Sequence, residues 1–162
     1  MNHFQINAND YLFRHTKAFY HVPYTGMGNS GNPNYLNDLK NTYNNFSAGK
    51  LQSAVQELQN TLREDLPQIF QSLGFNAIVV CVVPRAKAEN AYHPNQQLFR
   101  TSVQAVIRQT FGFVDGTSYI RRHTNTKTTH LRTPIPKYIK DGREPYPGIT
   151  EENCEISPNA KG

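Results

Sequence analysis

No stretch of this chain approaches the roughly 18 to 20 apolar residues that a bilayer span requires. The first residues, Met1-Asn2-His3-Phe4-Gln5, lack the apolar core of a secretory signal. Neither a membrane protein nor an exported one is expected. Cysteine is scarce: Cys81 and Cys154 are the two, and they make neither a disulfide framework nor a metal site. A reducing cytosol is the compartment that fits. Cys81 lies in an apolar run and is expected to pack as a small hydrophobe. Cys154 lies in an acidic segment and is expected at the surface, with no cation beside it to activate the thiol. Charge is sparse as well, at 18% of residues. His93, His123 and His130 match no ligand spacing and have no acidic cluster with them, so no protein-bound metal site is expected. No Ser-His-acid arrangement stands out, and there is no internal repeat.

What is present fits one domain of ordinary size, spanning all 162 residues. Such a chain buries roughly two thirds of its unfolded surface and needs no staple. The net charge of +5 is consistent with phosphate-bearing partners, although modest basicity is also a common solubility setting.

The chain is organised around Ala77-Ile78-Val79-Val80-Cys81-Val82-Val83, broken at once by Pro84-Arg85-Ala86-Lys87. A β-branched run without alternation predicts a strand buried on both faces, the habit of a parallel sheet covered by helices. A helical pattern precedes it. Leu51, Val55, Leu58 and Leu62 form a stripe continued by Leu66, Ile69, Phe70 and Leu73, with Pro67 expected to break or kink the helix and Gly74 to stop it. Another helix is predicted from Gln96 to about Phe111. Its apolar side is Leu98, Phe99, Val103, Val106 and Ile107, which leaves Arg100, Gln104 and Arg108 towards solvent. Val114 to Arg122 reads as a further strand. Helix, buried strand, basic turn, helix, strand is the order of an α/β domain with a mainly parallel sheet flanked by helices.

Upstream, residues 4–24 read as one or two short strands or an edge hairpin, formed by Tyr11-Leu12-Phe13 and Ala18 to Val22. The glycines Gly26, Gly28 and Gly31 mark a loop. They follow no convincing strand and have no closing Lys-Ser/Thr pair, so a phosphate-cradle reading is rejected. Tyr35, Leu36, Leu39, Tyr43 and Phe46 predict a short helix over 34–46 whose aromatics serve the core. Residues 1–49 thus form an N-terminal hood or edge segment, 50–120 the α/β core, and 121–150 a flexible basic loop.

Two basic groups are candidates for a site. Ligands of open α/β sheets bind outside the carboxyl ends of strands. Arg85, Ala86 and Lys87 stand there, and a guanidinium, an ammonium and turn amides suit phosphate or pyrophosphate oxygens; the alternative is a solvated turn. The second group runs from Arg121 to Arg132, with Lys137, Lys140 and Arg143 beyond. Cations and hydroxyls interleave there, as in a loop that closes over an anionic substrate. The same stretch could bind nucleic-acid backbone instead.

In its order of parts the chain resembles the type I phosphoribosyltransferases, most nearly their ComF-like and amidophosphoribosyltransferase-like members. The resemblance covers residues 76–162. It rests on Val-Val-Pro-Arg-Ala-Lys ending a buried strand, a helix, a second strand ending in arginine, and Arg122-His123-Thr124-Asn125-Thr126-Lys127-Thr128-Thr129-His130-Leu131, of the form Arg-x-x-x-Thr-x-x-x-x-Leu. It implies that Arg85, Ala86, Lys87 and Arg121 bind pyrophosphate or nucleotide, and that Lys127 and Arg122 belong to the catalytic loop. It implies glycosyl transfer or cleavage at ribose C1, with phosphoribosyl pyrophosphate as ligand and Mg2+ accompanying it. The diacidic strand and phosphate loop of the family would begin where these residues end, so the expectation is an incomplete phosphoribosyltransferase-like fold, completed by a longer parent. A nucleic-acid-binding module and a non-catalytic interaction subunit, as a homodimer or within a larger complex, are the competing expectations.

Overall fold

The protein is described by a computed structural model covering residues 1–9, 12–23, 32–40, 47–126 and 150–160. Strands β1 (Asn2–Ile6) and β2 (Thr16–Tyr20) form an antiparallel hairpin with Asn2 opposite Tyr20 and Ile6 opposite Thr16. The hairpin is present, but its first strand lies upstream of Tyr11-Leu12-Phe13. It is fastened to the long helix spanning Ala48–Leu73 by Lys17 Nζ, which donates to Ser72 Oγ at 2.5 Å, and by His21 Nδ1, 3.0 Å from Asp65 Oδ2.

Helix α1 (Asn34–Lys40) follows, then the long helix α2 (Ala48–Leu73). Ser47 caps α2 by accepting from the Lys50 amide, and Gly74 ends it at φ 67° while donating to Phe70 O. The break expected at Pro67 does not occur, because α2 runs through it. Proline costs a helix one backbone donor, yet here the ring sits on the exposed face. The turns on either side are held by Leu62, Leu66 and Ile69, which pack into the core. Beside the proline, Gln68 Nε2 donates to Glu64 O at 3.1 Å.

Next come β3 (Ile78–Val80), α3 (Pro94–Ile107) and β4 (Phe113–Asp115). Strands β3 and β4 pair in parallel, Ile78 with Phe113 and Val80 with Asp115, so this segment is the strand–helix–strand unit that the residue pattern predicts. Helix α3 starts at Pro94, two residues before the predicted Gln96. Proline fits the first helical position, and the Gln96 side chain accepts from the His93 amide at 3.1 Å. The segment expected as one strand over 114–122 divides into β4 and β5 (Ile120–Arg122). Between them the Asp115 carboxylate accepts from the Thr117 amide, and the chain turns at Gly116 to Tyr119. β5 pairs antiparallel with β6 (Cys154–Ile156), Arg122 opposite Cys154. Among the described residues the strands make three separate two-stranded sheets. The molecule is a mixed helix-and-strand protein in which, among the described residues, the parallel pairing is that of β3 with β4.

Two apolar clusters share α2 and α3. Tyr35, Leu39, Ala54 and Leu58 join α1 to α2, while Leu66, Val103, Val106 and Ile107 join α2 and α3 to the inner face of the parallel pair through Val80 and Phe113. Burial on both faces of β3 is not observed: Val79 is 49% and Val83 74% exposed. An unbroken apolar run marks a strand that can be covered on both sides, and among the described residues helices cover one. The two cysteines exchange their expected places. Cys81 is on the open side, and Cys154 is 2% exposed, opposite the buried Arg122. Arg100 and Gln104 are likewise half-buried rather than solvated. No helix among the described residues is long and apolar enough to cross a membrane.

Candidate functional site

Beyond the carboxyl end of β3 lies a cavity of about 190 Å3. Its walls come from three directions. α1 gives Leu36, Leu39 and Lys40, the chain leaving β3 gives Val82 to Arg85, and Tyr92, Gln96, Phe99 and Arg100 come from the start of α3 and the turn before it. Gln96 and Arg100 are four residues apart and so share one face of α3.

The wall between α1 and α3 is locked by side-chain amides. Asn95, fully buried, donates to Asp38 O at 2.7 Å, and Gln96 donates to Lys40 O at 3.0 Å. These are carbonyls at the end of α1 that the helix itself leaves without partners. His93 Nδ1 contacts Asn95 Oδ1 and completes the lock.

The turn after β3 is held just as firmly. The Arg85 amide donates to Tyr92 Oη at 2.9 Å. Arg85 O accepts from Arg122 Nε at 2.6 Å, Ala86 O from the Thr126 amide at 2.7 Å, and the Ala88 amide donates to Asn125 Oδ1 at 2.7 Å. The strand end and loop at 122–126 therefore form a strap across the turn. On this turn Arg85 lines the cavity. Desolvation lowers its guanidinium pKa, while the nearby Tyr92 hydroxyl acts to raise it. Among the described residues Arg85 makes no ion pair.

The other candidates go elsewhere. Lys87 is exposed and lines none of the principal cavities among the described residues. Ala86 serves through its carbonyl, as an anchor of the strap. Arg121 Nε donates to Glu89 Oε2 at 3.1 Å, outside the cleft. Arg122 is 4% exposed, and besides Arg85 O it donates to Asn153 Oδ1 at 2.8 Å, which makes it a positioning residue for the turn. Lys127 and the basic stretch that follows it lie outside the described residues, as do Tyr43, Phe46, His130 and the glycines Gly26, Gly28 and Gly31.

Sequence reasoning placed Arg85 at the site and missed its neighbours. Lys40, Tyr92, Gln96, Phe99 and Arg100 come from two helices and a turn, and each reads alone as a core or surface residue. The available signal was the i, i+4 pair Gln96 and Arg100 directly downstream of the strand–turn unit. The resulting chemistry is an apolar, ring-sized cavity with a guanidinium at the strand end, hydroxyl and amide groups along the wall, and no carboxylate among the described residues that line it. No protein-family model, curated protein or solved structure matches this chain.

Proposed function

We propose that the cleft beyond β3 binds a small phosphorylated ligand, a nucleotide or phosphoribosyl pyrophosphate, with Arg85 receiving the phosphate. The observation that carries this reading is the place of Arg85, at the wall of an apolar cavity beyond β3 and without an ion pair among the described residues. A guanidinium without a counter-charge at an apolar wall offers a bound phosphate bidentate, charge-assisted hydrogen bonds. The strap fixes the Arg85 backbone before any ligand arrives, so little ordering cost remains for binding. The cavity is somewhat larger than one of about 150 Å3 that admits benzene, which suits a base- or sugar-sized ring.

The resemblance to type I phosphoribosyltransferases supplies the finer form of the proposal: bond making or breaking at ribose C1, in a cytosolic setting. In that form the chain's own residues bind the phosphate end and exclude water from it. The described residues do not fit a metal ion, since no cluster of His, Cys, Asp or Glu among them could hold one and the cleft wall carries no carboxylate. No step is therefore routed through Mg2+.

The test is thermal unfolding with phosphoribosyl pyrophosphate and with AMP, each at millimolar concentration. A ligand present at 100 times its Kd adds about 2.7 kcal/mol, so a clear rise in Tm is expected, and Arg85→Gln should abolish it. Absence of a shift with both ligands, or a shift that Arg85→Gln leaves intact, overturns the reading.

A further inference from the structure

We infer that Glu89 sets the charge of the ligand the cleft accepts, favouring one phosphate over a diphosphate; the inference rests on the phosphorylated-ligand reading above and, of its two ligands, selects the nucleoside monophosphate over phosphoribosyl pyrophosphate. Glu89 opens the 3-10 turn Glu89–Ala91 between the strapped turn and α3. Each of its carboxylate oxygens faces a different guanidinium. Arg100 Nη2 lies 2.5 Å from Oε1, a charge contact rather than an aligned hydrogen bond, and Arg121 Nε donates to Oε2 at 3.1 Å. One of these two arginines, Arg100, lines the cleft together with Arg85. The Glu89 and Arg100 side chains are 17% and 21% exposed, so water and salt screen this pair less than an exposed one.

The consequence is a difference between two guanidiniums that line one cleft from different walls. Arg85 presents an uncompensated charge among the described residues, whereas Arg100 arrives already matched by a carboxylate. Arg100 is held a second time by Ile120 O, 3.4 Å from Nη2. A single phosphate can take the Arg85 fork. A second phosphate entering the cleft has to compete with Glu89 for Arg100 and meets the carboxylate's repulsion, which acts against ligands of higher charge. A carboxylate that leaves its arginine on the cleft wall but offsets part of its charge is thus a selectivity element rather than part of the binding contact itself.

The experiment is calorimetric titration of AMP and ADP, which differ by one phosphate, into the full chain and into Glu89→Gln and Glu89→Gln/Arg100→Gln. The unaltered protein should bind AMP more tightly than ADP. Glu89→Gln should change the AMP-to-ADP affinity ratio in favour of ADP by about tenfold, the size of one charge-assisted hydrogen bond gained. The double variant should lose that change. Glu89→Asp, whose shorter side chain loosens both contacts, should move the ratio in the same direction by less, and it carries the test if Glu89→Gln does not fold. A ratio unchanged in a folded Glu89 variant, or an unaltered protein that prefers ADP, overturns the inference while leaving the phosphate reading standing. Failure of both nucleotides, and of phosphoribosyl pyrophosphate, to bind the unaltered protein overturns both.

Discussion

Arg122 Nε donates to the carbonyl oxygen of Arg85 at 2.6 Å, so a buried cation on β5 holds the turn that carries the exposed cation of the cleft. The two residues are 37 positions apart, one on β5 and the other on the turn after β3. Their bond joins the parallel pair, through its turn, to the β5–β6 ladder, because the other end of the same guanidinium donates to Asn153 Oδ1. Asn153 in turn accepts from the Thr150 amide and lies 3.1 Å from the Cys154 thiol. The cleft therefore depends on an element far from it in sequence.

Replacing Arg122 by methionine keeps much of the side-chain volume and removes both donors. Arg85 O and Asn153 Oδ1 each lose a strong partner. The expected loss of stability is about 1–3 kcal/mol, read as a lowered urea midpoint with an unchanged slope. The ligand-induced rise in Tm should shrink as well, since the turn is no longer held before binding. Unaltered stability in Arg122→Met would contradict the assignment of Arg122 as the anchor of the turn.

The parts of the fold that could be read from residue order are those whose signal is local. The stripe through Leu51, Val55, Leu58 and Leu62 and the pattern of Val103, Val106 and Ile107 repeat at the helical period, and both helices are there. The run at 77–83 does hold a strand, though it ends at Val80 rather than at Pro84, and Arg85 lines the cavity beyond it. What could not be read depends on distant partners. Whether the outer face of β3 is covered is decided by what packs on Val79 and Val83, not by their own apolarity. Arg122 and Cys154 are neighbours across a ladder whose strands are separated by 31 residues, and a sequence window sees one as a surface cation and the other as part of an acidic tail. Asp115 to Ser118 carries turn residues in plain view, Asp-Gly-Thr-Ser. There the error was to let the flanking β-branched residues outweigh turn chemistry.

Gly112 supplies the sharp entry into β4. Its φ is 84°, a conformation costly for residues with a Cβ, and a Cβ placed on it would come within 2.3 Å of Phe70 Cε2. Gly74 shares the positive φ, at 67°, but has open space around the same position. Gly74→Ala should therefore cost about 1–2 kcal/mol from backbone conformation alone. Gly112→Ala should cost that plus about 1–3 kcal/mol from overpacking. Trimming the ring in Phe70→Leu/Gly112→Ala should recover part of the second amount. Equal losses for the two alanine variants, measured by urea unfolding, would show that Phe70 yields freely.

Asp115 makes stability depend on acid. Desolvation acts to raise its carboxyl pKa, but four donors outweigh it: the Thr117 hydroxyl at 2.6 Å, the Thr117 amide at 3.1 Å, Gln104 Nε2 at 2.8 Å and Arg108 Nε at 3.0 Å. The folded-state pKa lies below the ordinary carboxylate value. A group of this kind contributes stability that is fully present above its unfolded pKa of about 3.9 and that disappears as pH falls through the folded pKa. Thr117 is almost fully buried, and Thr117→Val keeps its shape while deleting the hydroxyl donor. The variant should be less stable at neutral pH, its acid transition should begin at a higher pH, and the gap between the two proteins should narrow as pH falls below the unfolded pKa and through the folded one. Urea midpoints collected across that range decide the matter. A gap that stays constant with pH would mean that the hydroxyl acts through packing alone and that the donors around Asp115 do not hold its charge.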